Sequence, residues 1–167
     1  MKQLIMINGT MGAGKSTVCR ALNKKLNNSV WLDGDWCWMA DPFVVNEGTK
    51  AMVLDNITHL LRNFLLQKEY EHVIFCWVMD EDGIVSSILE RLSDLSFKSY
   101  VITLRLRDAT LVSHLSTDIE KGIRTLDSIE KSLARQKKYE IMNTIKVDID
   151  GKEMDEIVEE IESIIGG

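Results

Sequence analysis

The sequence predicts an α/β fold, with a parallel sheet between layers of helices, in a single domain spanning residues 1–167. Five short apolar runs have the length and composition of buried strands: residues 4–7, 30–32, 72–79, 100–106 and 145–149. Segments with apolar residues at helical spacing separate these runs. Such alternation is typical of a parallel sheet with right-handed crossovers. No linker-like tract interrupts the chain, which favours one domain.

The helical segments differ in how clearly the sequence marks them. Residues 47–68, 84–95 and 155–165 each carry an apolar stripe on one helix face. The segment 113–131 is polar, contains Gly122 and lacks such a stripe, so we expect a lid there. Because parallel sheets bind ligands beyond the carboxyl ends of their strands, the residues that follow each strand are the candidates for a functional site.

Composition narrows the class of protein. The net charge of −6 disfavours a protein whose main function is to bind nucleic acid, because such proteins bind the phosphates through Lys and Arg. The cysteines Cys19, Cys37 and Cys76 are widely spaced and form no C-x-x-C pair, which favours a reducing compartment and buried thiols. No apolar stretch has the length of a membrane span, and the first strand begins close to Met1. We therefore expect a cytoplasmic protein that binds neither nucleic acid nor membrane.

The strongest motif follows the first strand directly. Residues 9–16 read Gly-Thr-Met-Gly-Ala-Gly-Lys-Ser and fit G-x-x-x-x-G-K-[ST], the phosphate-binding loop. Glycines let successive N–H groups point at phosphate oxygens, and the following helix adds its positive N-terminal end. The motif predicts that Lys15 binds the β- and γ-phosphates of ATP and that the Ser16 hydroxyl binds Mg²⁺. The predicted nucleotide-binding residues of the loop are Gly9, Thr10, Met11, Gly12, Ala13, Gly14, Lys15, Ser16 and Thr17.

A second motif, Asp33-Gly34-Asp35, follows the second strand. Two carboxylates separated by one glycine at a strand end can face the same cleft. One can then assist Mg²⁺ while the other accepts a proton from an attacking hydroxyl, as phosphoryl transfer requires. The alternative is a turn that caps a helix, for which Asp and Gly are common.

Together these motifs resemble the shikimate kinase, gluconate kinase and nucleotide kinase branch of the P-loop kinases. The resemblance covers nearly the whole chain in element order. It implies a three-layer α/β/α P-loop fold with strand order 2-3-1-4-5, ATP and Mg²⁺ as cofactors, and a helical lid over the nucleotide. It also implies an acceptor-binding region at about 33–70, with Asp33 holding Mg²⁺ through water and Asp35 contacting the acceptor hydroxyl.

Three further residues match the pattern of the family only in part. Arg124 occupies the place of the lid arginine that reaches the transferring phosphates, where a permanently charged fork stabilises negative charge. Arg135 matches a position that meets an acidic acceptor group in shikimate kinases. His114 stands where the family has an adenine-stacking arginine. Each arginine has the alternative of a solvated helix charge.

The acceptor side departs from shikimate kinases and is aromatic. Trp36 and Trp38 follow the D-G-D motif, and Trp77 lies where the family has a glycine triplet. Indole walls would suit an acceptor with a flat or apolar portion, although these side chains also fit ordinary packing between helix and sheet. Asp80 is a further candidate support for Mg²⁺, or a residue that favours the start of the next helix.

The sequence therefore predicts an enzyme, a kinase that moves the γ-phosphoryl group of ATP to a small-molecule acceptor. We assign catalytic roles to Lys15, Asp35 and Arg124. Substrate contacts are expected from Asp33, Asp35, Trp36, Trp38, Trp77 and Arg135, and metal contacts from Ser16 and Asp33. Two alternatives remain, a nucleoside or nucleotide kinase and a nucleotide-binding regulatory module without transfer.

Overall fold

The computed structural model describes residues 1–166 and confirms a parallel five-stranded sheet in the order β2-β3-β1-β4-β5. The strands are β1 (Gln3–Asn8), β2 (Ser29–Asp33), β3 (His72–Cys76), β4 (Lys98–Arg105) and β5 (Ile145–Asp148). The helices are α1 (Lys15–Lys25), α2 (Glu47–Leu66), α3 (Asp82–Glu90), α4 (Asp108–Glu120), α5 (Asp127–Ile141) and α6 (Met154–Gly166). A 3₁₀ helix, Gly34–Trp38, follows β2.

The central strand β1 is buried on both faces, which explains its continuous apolar sequence. Leu4 and Met6 pack into the core layer formed with α2 and α3. Ile5 and Ile7 point the other way, into the layer formed with α1, α4 and α6. Because side chains alternate along a strand, one short run supplies both cores and places the loop after it at the middle of the sheet edge.

The third strand is shorter than the sequence predicts. We expected residues 72–79, but β3 ends at Cys76, where its pairing with Ile7 of β1 also ends. The next residue of β1, Asn8, turns its side chain toward Met79 and replaces strand pairing with side-chain hydrogen bonds. An apolar run therefore predicts too long a strand here, because beyond Cys76 the side-chain amide of Asn8 replaces the backbone hydrogen bonds of the sheet.

The lid segment 113–131 comprises the end of α4, a connecting turn at Gly122 and the start of α5. It shows no apolar stripe in the sequence because its packing relies on few large side chains. Leu111 and Leu115 are buried on α4, whereas the buried positions at the start of α5 are Ser128 and Ser132. Small residues let α5 approach the rest of the protein without an apolar signal.

The three cysteines are free, and burial raises the pKa of the Cys19 and Cys37 thiols. This agrees with thiols that serve as packing groups rather than nucleophiles. Among residues 1–166, no helix combines the length and the hydropathy that crossing a bilayer requires.

The close approach of Gly34 to Trp77 provides a test of the packing behind the site. A Cβ atom at position 34 would lie 2.5 Å from Cγ of Trp77, so Gly34→Ala must displace the indole ring. We expect a loss of about 1–3 kcal/mol in the free energy of unfolding, measured by urea denaturation. Gly83→Ala in α3 is the control, since nothing lies within 4 Å of its added Cβ. It should gain up to about 1 kcal/mol, and equal losses in both variants would contradict the packing described.

Candidate active site

The loop between β1 and α1 is shaped by three glycines with positive φ. Gly9, Gly12 and Gly14 have φ of 146°, 84° and 82°, a region that side chains with a Cβ rarely adopt. Nζ of Lys15 donates hydrogen bonds to the carbonyl oxygens of Gly9 (2.9 Å) and Thr10 (3.0 Å). The side chain thus folds back over the loop and ties its two ends together.

The charge of Lys15 depends on its surroundings. Burial lowers the pKa of Lys15, and the nearby Asp35 and Asp33 carboxylates oppose this effect. A bound polyphosphate would supply further negative charge and favour the protonated amine. The loop is therefore suited to an anionic ligand.

The two motifs meet in one hydrogen bond. The Ser16 hydroxyl donates to Oδ2 of Asp33 at 2.7 Å, while Oδ1 of Asp33 accepts from the backbone N–H of Asp35 at 3.1 Å. The second contact is the helix-capping turn that the sequence allowed as an alternative. Asp33 therefore caps the 3₁₀ helix and contacts Ser16 at the same time. The Asp35 side chain is exposed and remains available to a ligand.

Two oxygen groups thus stand where Mg²⁺ is expected. Hydroxyl and carboxylate oxygens are the donors that Mg²⁺ prefers, and it usually takes one or two from a protein and the rest from water and phosphate. Ser16 and Asp33 fit that donor set. Within residues 1–166, no group of three or more His, Cys, Asp or Glu side chains is placed to hold a metal.

Asn8, which the sequence did not single out, joins the loop to the end of β3. Its Oδ1 accepts from the backbone N–H groups of Gly9 (2.9 Å) and Met79 (3.0 Å), and its Nδ2 donates to the carbonyl oxygen of Met79 (2.8 Å). The side chain is fully buried. A buried amide with three backbone partners fixes the position of both segments.

The phosphate loop opens into a cleft of about 650 Å³. Its lining comprises residues 11–18, Asp33, Asp35, Trp77, Val78, Thr110, His114, Asp118, Arg124, residues 149–152, Met154 and Ile157. The structure therefore brings together residues 11–17 of the predicted loop, both aspartates, Trp77, His114 and Arg124, whereas Gly9 and Thr10 do not line the cleft. The volume is within the range of small-molecule sites.

The connection between β5 and α6 lines the cleft and was missed by the sequence analysis. The apolar side chains here, Ile149 of the connection with Met154 and Ile157 of the first turn of α6, are suited to a planar base. Asp150 holds this connection in place, accepting from the backbone N–H of Arg107 at 2.5 Å and from the Thr110 hydroxyl. The signal that would have found it is its position after the last strand.

Two polar side chains of the predicted lid, Arg124 and His114, lie within hydrogen-bond distance of other groups of the protein. Nε of Arg124 donates to Oδ2 of Asp118 at 2.9 Å, and both residues line the cleft. Nδ1 of His114 lies 3.0 Å from the carbonyl oxygen of Gly12. A Cβ atom at Gly12 would lie 2.8 Å from Leu115, so α4 rests directly on the phosphate loop.

Three of the predicted substrate residues do not line this cleft. Trp36 packs against Trp31 with ring centroids 4.9 Å apart, and Trp38 packs against Phe43 at 4.8 Å. Arg135 lies beside Asp80, with Nε 3.5 Å from Oδ2. Their roles toward a substrate stay predictions. Asp80 pairs with Arg135 and is not among the residues that line the cleft, and its role toward Mg²⁺ also stays a prediction.

A phosphate loop after the central strand of a parallel sheet, a serine–aspartate pair at its end and an arginine in the same cleft are the features of a P-loop nucleotide-binding fold of the kinase type. The chain belongs to the AAA domain family, which it matches over residues 5–143. No curated protein matches its sequence.

Solved structures of other proteins share this fold at low sequence identity. The tunicamycin resistance protein of Deinococcus radiodurans matches with a TM-score of 0.77 at 15% identity, covering 99% of this chain and 96% of that one. A gluconokinase from Sinorhizobium meliloti 1021 matches with 0.70 at 15%, covering 99% and 91%. The APS kinase CysC of Mycobacterium tuberculosis, in complex with AMPPNP and APS, matches with 0.66 at 13%, covering 99% and 98%. The predicted resemblance to P-loop kinases is confirmed at the level of the fold.

The Asn8 bridge predicts a large stability effect for a small change. Asn8→Ala leaves the N–H and carbonyl of Met79 without these partners, and we expect a loss of about 1–3 kcal/mol in the free energy of unfolding. Asn63→Ala, on the exposed side of α2, is the control and should stay within about 0.5 kcal/mol of the wild type. Equal effects in urea denaturation would show that the bridge contributes nothing.

The Arg124–Asp118 pair predicts that Asp118 restrains nucleotide binding. Arg124 must leave Asp118 to contact a phosphate, and the Asp118 carboxylate itself repels one. We expect Asp118→Asn to bind Mg·ATP about three- to tenfold more tightly by calorimetry, a gain that 1 M salt would reduce for this partly exposed pair. Glu120→Gln, exposed at the end of the same helix, should change the Kd less than twofold. Weaker binding by Asp118→Asn would refute the restraint.

Proposed function

We propose that the protein is an ATP-dependent kinase that transfers the γ-phosphoryl group of ATP to a hydroxyl group of a small-molecule acceptor. The observation that carries the proposal is Asp35, an exposed carboxylate in the same cleft as the phosphate loop. The Ser16 hydroxyl contacts Asp33 and leaves Asp35 open. A loop that only binds nucleotide needs no such second carboxylate.

The geometry supports the following proposed roles. Lys15 and the loop amides bind the β- and γ-phosphates, and Arg124 reaches the transferring group once it leaves Asp118. Asp35 orients the acceptor hydroxyl and takes its proton. The acceptor oxygen forms a bond to the γ-phosphorus, the bond from that phosphorus to the β,γ-bridging oxygen breaks, and ADP leaves with the electron pair. Ser16 and Asp33 would hold Mg²⁺ together with ATP, and the ion would supply positive charge against the phosphates.

Small-molecule chemistry is supported by the printed names of proteins with this fold, a gluconokinase and an APS kinase. At these identities the names carry no acceptor to this chain. The apolar walls contributed by Ile149, Met154 and Ile157 suit the adenine of ATP, with His114 one turn after Thr110 at the same end of the cleft.

The proposal is tested by acceptor-dependent ADP release from Mg·ATP. Purified protein is screened against sugars, polyols, amino alcohols, nucleosides and nucleoside monophosphates, with thermal shift as a parallel readout of binding. Preferential turnover of nucleosides or monophosphates would favour the nucleotide-kinase alternative. Tight ATP binding without transfer to any acceptor would favour the regulatory module.

Two substitutions separate binding from transfer. We expect Lys15→Met to weaken ATP binding at least tenfold, because it removes the cation that faces the phosphates. We expect Asp35→Asn to lower kcat about 10²- to 10⁴-fold while the Kd for ATP changes less than twofold. Steady-state kinetics and calorimetry measure the two quantities. Glu69→Gln, an exposed charge removal before β3, is the control; unchanged kcat in Asp35→Asn would exclude Asp35 as the base.

A further inference from the structure

The segment that follows Asp35 exposes several large apolar side chains. Trp36 is 54% exposed, Met39 83% and Phe43 61%, and Val44 and Val45 are also exposed. We call residues 36–45 the apolar segment. Contiguous exposed apolar side chains of this size, next to a polar cleft, mark an interaction site more often than ordinary surface.

The apolar segment is held in place rather than loosely attached. Nδ2 of Asn56 in α2 donates to the carbonyl oxygen of Cys37 at 3.2 Å. The Trp36 ring packs on Trp31, and the Trp38 ring packs on Phe43. The rings are therefore presented by the fold in fixed positions, which lowers the entropy that a ligand must overcome.

The apolar segment begins at the proposed catalytic carboxylate. Asp35 lines the cleft, and Trp36 is the next residue of the same 3₁₀ helix. A molecule whose hydroxyl meets Asp35 therefore has its remaining atoms within reach of this segment. The segment adjoins the cleft through the chain connection between Asp35 and Trp36, although its own residues do not line the cleft.

The charges around the apolar segment disfavour an anionic acceptor. Residues 35–49 contain Asp35, Asp41 and Glu47 but no Lys or Arg, and Lys50 pairs with Glu47 at 2.9 Å. Arg135, which resembles an acid-binding arginine of shikimate kinases, is engaged by Asp80. Lys138 shares the same carboxylate at 3.2 Å. An acidic acceptor would meet like charges on the segment itself; the cation beside it is Arg20, which lies over the Trp31 ring against which Trp36 packs.

We propose that the acceptor is an uncharged alcohol with a sizeable apolar portion, which lies on the apolar segment while its hydroxyl contacts Asp35. This inference rests on the proposed kinase function and specifies its substrate class. Burial of the apolar portion against Trp36 and Phe43 supplies binding free energy. The carboxylates of Asp35, Asp41 and Glu47 disfavour carboxylated or phosphorylated relatives of the same alcohol.

The test uses alcohols in matched triples that share the reacting hydroxyl. Each triple contains a polar parent, an alkyl or aryl derivative and an anionic derivative, such as methyl β-D-glucoside, phenyl β-D-glucoside and 4-carboxyphenyl β-D-glucoside, which carry the same four sugar hydroxyls. Further triples are built on nucleosides and on amino alcohols with the amine acylated. For any scaffold that supports ADP release, we expect the uncharged apolar member to have a kcat/KM at least tenfold above the other two.

The possible outcomes distinguish failure of the proposed substrate class from failure of the proposed kinase function. Highest kcat/KM for an anionic or purely polar member would overturn the substrate class and leave the kinase proposal standing. No turnover in any triple, with Mg·ATP binding intact in calorimetry, would overturn the kinase proposal and this inference with it.

Variants of the apolar segment give a second readout. With the best acceptor, Trp36→Ser/Phe43→Ser should raise the acceptor KM at least tenfold, while the Kd for ATP changes less than twofold. Met39→Ser, at the most exposed of these positions, should raise that KM in the same direction and removes little packing. Leu66→Ser, 58% exposed at the far end of α2, about 30 Å along the helix, is the control. A KM unchanged in both segment variants, or raised equally by Leu66→Ser, would overturn the inference.

Discussion

The side-chain amide of Asn8 is the contact on which the geometry of the site depends. It stands at the end of the central strand, where backbone pairing between β1 and β3 stops, and it bonds to the first residue of the phosphate loop and to both backbone groups of Met79. Two segments that would otherwise leave the sheet independently are held in one register. The loop that wraps the phosphates and the segment that carries Trp77 therefore share one anchor.

Much of the fold could be predicted because the signals are local and strong. An apolar run such as Leu4–Ile7 buries alternate side chains in two cores, so a strand in the centre of a parallel sheet is legible from sequence. The glycines of the phosphate loop predict their own backbone conformation, and positions 9, 12 and 14 have positive φ. The strand order came from the resemblance to P-loop kinases and is confirmed.

The site was harder to predict because its geometry depends on partners distant in sequence. The sequence does not indicate that Asp80 pairs with Arg135, 55 residues later. The ion pair between Asp118 and Arg124 joins nearer residues, six apart, but it spans the turn at Gly122 and has no sequence motif. Asn8 was overlooked because a polar residue at a strand end is common. From the sequence, the apolar side chains between the end of β5 and the first turn of α6 are expected to be ordinary core residues. Only the folded chain shows that they border a cleft.

The direct contact between Gly12 and α4 has a mechanical consequence. At that point the loop has no side chain, and the leucines of the lid helix lie against its backbone. Interiors packed this closely transmit small displacements instead of absorbing them. A change in the loop conformation around a ligand would therefore displace α4, because Leu111 and Leu115 lie directly against Gly12.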